Sequence, residues 1–311
     1  MLGYALLFPG QGSQQVGMGK ELYAASAAAK RVFDEADDAL GVSLSKLCFE
    51  GPDTELVLTA NTQPAILTTS IATLAAWQER GEVAFDYALG HSLGEFSALV
   101  ATGALAFADA VRLVRLRGQA MQEAVPAGAG AMAAIFGVPA DELDALCVEA
   151  AQGEVVSAAN ENGGGQIVVA GNAAAVDRLI ALAKSRKARA IPLKVSAPFH
   201  CALMQPAAQR LAAALAEVTI SPMRRPVITN VDAEPNQDST RVADLLVKQV
   251  THRVRWEASI TRAVALGVQA AAEVGHGKVL AGLVKRIAPD MRVDACGSPA
   301  DIDVLRESGH G

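Results

Sequence analysis

The sequence predicts an α/β protein in which a large domain is interrupted by a smaller one of ferredoxin-like topology. Three observations carry that expectation. Short apolar runs such as Tyr4-Ala5-Leu6-Leu7-Phe8, closed by Gly or Pro, alternate with longer helix-forming segments, the pattern of a buried sheet covered by helices. Residues 127–196 read as β-α-β-β-α-β over about 70 residues, the order of a ferredoxin-like module. Gly90-His91-Ser92-Leu93-Gly94 lies between a strand-like run and an apolar helical one, the setting of a sharp strand-to-helix turn. The small domain is therefore placed at 127–196, and the flanks 1–126 and 197–311 form the large one.

In chain order, residues 4–8 form a strand, and Pro9-Gly10 marks the loop after it. Residues 17–40 read as a helix, with Leu22, Phe33, Ala36 and Leu40 as periodic anchors. Asn61-Thr62-Gln63-Pro64 reads as the start of the next helix, with Pro64 in its first turn and Gly81 as its stop. Residues 86–90 are a brief strand entering the Ser92 turn, and a helix starts at Glu95. Another, over 109–124, carries Arg112, Arg115 and Arg117. In the small domain, 131–136, 155–159, 166–170 and 189–195 are strands, 140–151 and 173–185 are helices, and Gly163-Gly164-Gly165 is a turn. Beyond it come helices from Pro206 to Val218 and over 240–250, 256–266 and 279–287. Strands are expected at 226–230 and 270–274, and the tail after Gly297, rich in turn residues and charge, should fray.

Composition narrows the function classes. Lys plus Arg number 27 and Asp plus Glu 33, a formal net charge of −6, against a dedicated nucleic-acid binder with its basic face. With 51% hydrophobic and 19% charged residues the chain folds, and with 4% aromatics its core is built mainly from Ala, Val and Leu. Cys48, Cys147, Cys201 and Cys296 are far apart, without metal-ligand spacing, so neither a zinc site nor a disulfide framework is expected. A reducing cytoplasm is the simplest compartment. The opening apolar run lacks a basic flank and breaks at Pro9, so it reads as a strand and not a signal peptide. No apolar run approaches the roughly 18 residues of a membrane-spanning helix.

The chemistry centres on Ser92. A serine on a strand-to-helix turn projects its hydroxyl outward, and the helix N-terminus behind it supplies free N–H groups suited to an oxyanion. Such a hydroxyl needs a base. Of His91, His200, His252, His276 and His310, the first points away from its neighbour and suits packing, and the last lies in the tail. His200, in Ser196-Ala197-Pro198-Phe199-His200 just past the second domain junction, is the best candidate, because clefts between domains commonly hold sites. Gly10-Gln11-Gly12-Ser13-Gln14 could offer N–H groups to an anion, although alone it reads as an ordinary loop. Arg117 could grip a carboxylate bidentately, although by spacing alone it is a solvated helix arginine. The basic run at 184–189 reads as a solvated helix end.

Taken together, FPGQGSQ, GHSLGEFSAL, RLRGQAMQ, GAMAAIFG, QIVVAG, SAPFH, ITNVDA, LLVKQ, VRW and GKVLAGLVKR are spread over nearly the whole chain. In order and spacing they resemble the malonyl-CoA:acyl carrier protein transacylases of fatty acid synthesis, which are related to polyketide synthase acyltransferases. The resemblance implies an α/β-hydrolase-like large domain with an inserted ferredoxin-like small domain. It makes Ser92 the nucleophile and His200 the general acid/base, oriented by a backbone carbonyl at the position of Gln249 where hydrolases use an acid. It assigns the oxyanion hole to the N–H groups of Gln11 and Leu93, the malonyl carboxylate to Arg117, and the cleft lining to Asn160 and Asn162. Leu93 and Phe199 resemble the malonyl-selecting pair, and a phenyl ring beside the base leaves little room for an α-methyl group.

The implied enzyme is cytoplasmic and uses malonyl-CoA and the phosphopantetheine arm of acyl carrier protein, with no bound cofactor, metal, nucleic acid or membrane. Alternatives on the same scaffold are a free-standing malonyltransferase of a polyketide synthase and a serine thioesterase or hydrolase. The chain departs from the family pattern at His252-Arg253, where Ser-Pro is usual, at His276, where Pro is usual, and at the glycine trio 163–165.

Overall fold

The computed structural model describes residues 3–193 and 195–307; His310 lies outside them. Among the described residues ten strands form two sheets. The large sheet has the order β10 (Arg292–Cys296), β9 (Val268–Val274), β1 (Gly3–Phe8), β2 (Tyr87–Gly90), β7 (Val227–Ile228) and β8 (Pro235–Asn236). It is parallel except for the β7–β8 hairpin. The alternation of β1 decides its place in the middle. Tyr4, Leu6 and Phe8 enter the core on one face, Ala5 and Leu7 that on the other, so the strand is apolar throughout.

The small sheet is antiparallel, ordered β4 (Val156–Glu161), β5 (Gln166–Asn172), β3 (Gly130–Phe136) and β6 (Arg189–Pro192). Helices Ala140–Ala151 and Ala173–Ser185 pack on one face over Ala133, Ile135 and Val169. The other face, with Met132, Ala134 and Val168, joins the core of the large domain. The protein is thus a large α/β domain plus a small ferredoxin-like subdomain. Arg253 ties the two sheets' surroundings together, bonding Asp144 at 2.6 Å and Glu161 at 2.7 Å. Arg253 therefore serves as an ionic strap.

Local expectations differ from the structure in several places. The helix of residues 17–40 is two, Lys20–Ala25 and Ala27–Leu40. Ser26 between them is extended, and its Oγ accepts from the Ala29 N–H as an N-cap while donating to Glu79. The helix holding Pro64 starts earlier, spanning Thr59–Gln78. Proline frees the carbonyl four residues back, that of Ala60, and Arg115 takes it up at 3.0 Å. The β7–β8 hairpin adds Pro235–Asn236, which was not expected as a strand.

The tail does not fray within the described residues. β10 joins the sheet edge, and helix Pro299–Glu307 buries Ile302 and Leu305. Its start was legible: Ser298 and Asp301 bracket Pro299, and Asp301 N donates to Ser298 Oγ at 3.2 Å while Ser298 Oγ donates back to Asp301 at 2.8 Å.

Candidate active site

The carboxyl ends of β1 and β2 lie side by side, with Phe8 opposite Gly90, and deliver the Gln11 loop and the Ser92 turn to one edge of the sheet. The turn needs its glycines. A Cβ on Gly90 would sit 1.9 Å from the Gly94 carbonyl, and one on Gly94 would sit 2.0 Å from the Phe8 oxygen. Ser92 itself has φ 52°, a strained left-handed conformation for a non-glycine residue. Asn230 holds it there, accepting from the Ser92 N–H at 2.7 Å and donating to the Gly90 carbonyl at 2.6 Å.

Helix Gly94–Thr102 follows immediately. The N–H groups of Gly94, Glu95 and Phe96 turn back onto the carbonyls of His91, Ser92 and Leu93 at 3.0, 3.1 and 3.0 Å. The Leu93 N–H lies ahead of that turn, among the first N–H groups of the helix, which have no partner within it.

His200 arrives from the loop after the small sheet, also at positive φ, 61°, and only 4% exposed. Its Nε2 lies 2.7 Å from Ser92 Oγ and its Nδ1 2.8 Å from the Gln249 carbonyl oxygen. A carbonyl only accepts, so Nδ1 carries the proton and Nε2 is the acceptor facing the serine hydroxyl. Burial above all, then the Arg117 charge, lowers the His200 pKa to about 3, opposed by the Gln249 carbonyl. At neutral pH the ring is an uncharged base.

Arg117, on helix Phe107–Glu123, is 2% exposed rather than solvated. It donates to Gln63 Oε1 at 2.7 Å, to Gln249 Oε1 at 2.9 Å and to Ser92 Oγ at 3.1 Å. Burial lowers its pKa to about 10, opposed by Glu95, so it stays a cation. Gln11, Leu93, Asn160, Asn162 and Phe199 line the same cavity as Ser92, His200 and Arg117. Asn162 Oδ1 meets His91 Nε2 at 2.9 Å, and the His91 ring stands edge-on to Trp256 with centroids 5.5 Å apart. His252, exposed, is engaged with Lys248 and His276, half-buried, with Gln15, which leaves His200 as the histidine bonded to Ser92 among the described residues.

These contacts accompany a match of residues 5–295 to the acyl transferase domain family model. The chain belongs to that family. This acyl transferase is 50% identical over 302 residues to the malonyl CoA-acyl carrier protein transacylase of Bacillus subtilis strain 168, covering 96% of this chain and 95% of the relative. It is 48% identical over 301 residues to that of Escherichia coli K12, covering 96% and 97%. Among solved structures it resembles the acyl-carrier-protein-S-malonyltransferase of Bartonella henselae, with TM-score 0.96, 45% identity and 99% and 100% coverage. It also resembles PlMCAT:AntF, a type II PKS acyl-carrier protein in complex with its malonyl-transacylase, with TM-score 0.95, 43% identity and 98% and 99% coverage.

Three residues of this acyl transferase's site escaped the sequence reading. Gln63 and Asn230 carry the contacts given above. Glu95, 2% exposed, accepts from Gln249 Nε2 at 2.6 Å and from the Asn230 N–H at 3.2 Å. Burial raises its pKa to about 7, opposed by those two donors and by Arg117. One signal was available: a carboxylate directly after the serine turn, at the head of an otherwise apolar helix.

Proposed function

We propose that this acyl transferase moves a malonyl group from malonyl-CoA to the phosphopantetheine thiol of an acyl carrier protein, through a malonyl-serine intermediate, in fatty acid biosynthesis. One observation carries the reading: a buried guanidinium 3.1 Å from a serine hydroxyl that is itself 2.7 Å from a neutral imidazole. A cation there suits an acyl group that ends in a carboxylate. The names of the relatives point to the same donor and acceptor.

In the proposed reaction Ser92 Oγ attacks the thioester carbonyl while His200 Nε2 takes its proton. The Gln249 carbonyl holds the imidazole by Nδ1 and favours the imidazolium that forms. The N–H groups of Gln11 and Leu93 receive the oxyanion, stabilising charge that exists only as the carbonyl becomes tetrahedral. His200 then protonates the departing CoA thiolate. The carrier's thiol enters, gives its proton to His200, and the steps reverse.

Arg117 pairs with the malonyl carboxylate, and Asn160 and Asn162 line the acyl cleft beneath residues 127–196. Phe199 beside the base excludes an α-methyl group. The reaction calls for no bound cofactor or metal. Four free, buried cysteines suit a cytoplasmic setting, and no described helix is long and apolar enough to cross a membrane.

The complex of a polyketide carrier protein with its malonyl-transacylase at 43% identity supports a second reading, service to a polyketide synthase. Intact-mass measurement after brief mixing with malonyl-CoA tests the intermediate: one malonyl adduct on the wild type and none on Ser92→Ala. Malonyl-carrier product, with little free malonate, separates transfer from hydrolysis. Absence of the adduct on the wild type refutes the reading.

A further inference from the structure

Gln249 serves two neighbours at once. Its backbone carbonyl accepts from His200 Nδ1 at 2.8 Å, and its side-chain Oε1 accepts from Arg117 at 2.9 Å. The amide's other end, Nε2, donates to Glu95 Oε2 at 2.6 Å and to the Ser92 carbonyl at 3.0 Å. An amide's oxygen and nitrogen ends have nearly the same shape, so its neighbours decide which way it faces. A guanidinium only donates and needs the oxygen; the unprotonated oxygen of a carboxyl group and a carbonyl oxygen only accept and need the nitrogen.

Glu95 supplies the shortest of the three contacts that Nε2 makes, the others being to the Ser92 carbonyl at 3.0 Å and to Asn230 Oδ1 at 3.4 Å. It is itself fixed by the Asn230 N–H at 3.2 Å, and Asn230 also bonds the Ser92 N–H at 2.7 Å. We infer that Glu95 is a positioning residue: its carboxylate locks the Gln249 amide so that the amide oxygen faces Arg117 and holds the guanidinium beside Ser92.

The inference rests on the malonyl reading, in which Arg117 grips the acyl carboxylate. Loosening Arg117 then weakens a donor that carries a carboxylate more than one that does not. The test is single-turnover acylation of Ser92 by malonyl-CoA and by acetyl-CoA, read by quenched intact mass. Glu95→Met keeps similar bulk but removes the acceptor. It is expected to lower the malonyl-over-acetyl preference by about tenfold or more, mainly as a higher KM for malonyl-CoA.

Glu95→Gln can present its own amide oxygen to Gln249 and is expected to recover the preference to within about threefold of the wild type. Equal losses for both donors in Glu95→Met, or a fall in Glu95→Gln as large as in Glu95→Met, overturn the inference. If Glu95→Met does not fold, Gln249→Met keeps the backbone carbonyl, removes the amide, and must show the same fall; an unchanged preference there overturns it. A wild type without malonyl preference refutes the function reading as well. A preference present in the wild type and kept in Glu95→Met refutes only the role of Glu95.

Discussion

Replacing Arg117 with Ala tests the acyl-binding cation directly. A guanidinium has five N–H groups. Three are engaged, by Gln63, Gln249 and Ser92, and Nε has no acceptor among the described residues. A carboxylate paired bidentately takes two N–H groups, which the guanidinium supplies by giving up some of its present contacts. A hydrogen bond to a charged group contributes about 1.5–3 kcal/mol, so two contribute about 3–6 kcal/mol. At about 1.4 kcal/mol per factor of ten, kcat/KM for malonyl-CoA should fall by about 10²–10⁴.

Acetyl-CoA has no carboxylate, and its transfer should fall by less than about tenfold, through loss of the Ser92 contact alone. The assay is stopped-flow or quenched acylation with each donor, with a thermal melt to show that the variant folds. The melt matters because truncation leaves the Gln63 and Gln249 oxygens without their donor and Glu95 without its countercharge. Equal losses with both donors would refute the assignment of Arg117 to the acyl carboxylate.

Other outcomes follow from the same contacts. Asn230→Ala removes the two hydrogen bonds that hold Ser92 at positive φ, so kcat should fall by about 10²-fold and the melting temperature by several degrees; unchanged kinetics would show that the turn holds itself. With its pKa lowered to about 3, His200 should keep acylation by acetyl-CoA, which does not draw on the Glu95-held Arg117, nearly level from pH 8 to pH 5, whereas an ordinary imidazole would protonate near 6.5. A rate that halves near pH 6.5 in a pH series would contradict this burial effect.

Stability has two opposed contributions. For His200 the unfolded state binds the extra proton between 6.5 and about 3, so stability falls as pH falls through that window. For Glu95, raised from 4.5 to about 7, the folded state binds the extra proton, so stability falls as pH rises from 4.5 to 7. Between 4.5 and 6.5 these oppose each other, and below 4.5 only the His200 loss continues. Melts of the wild type and His200→Gln should therefore diverge most below pH 4.5, the wild type losing more.

Much of the site could be read along the chain because its parts are local. The Ser92 turn needs glycines within a few residues of the serine, and a strand before and a helix after it leave periodicities that survive in one dimension. The small domain's helices Ala140–Ala151 and Ala173–Ser185 were legible to the residue, for the same reason. The order and spacing of the family motifs then singled out His200 from five histidines. The misses came where a distant group supplies what the local sequence lacks. Pro64 looked like a helix start because its missing N–H is tolerated there, but Arg115 satisfies the freed Ala60 carbonyl and lets the helix begin earlier. Arg117 looked solvated because nothing beside it in the chain predicts burial.

The amino-acid order by itself determined the fold class, the turn that presents Ser92 and the pairing of that serine with His200, since short-range backbone rules and motif order suffice for these. Only the tertiary structure decided which groups hold them. Asn230 stands 138 residues from Ser92 and Gln249 stands 154 from Glu95, and they meet because the parallel sheet brings the ends of separate strands and their following helices to one edge. In that buried setting each polar atom must find a partner. The orientation of Gln249, the neutrality of His200 and the placement of Arg117 are therefore properties of the assembled network, which no segment of the chain carries alone.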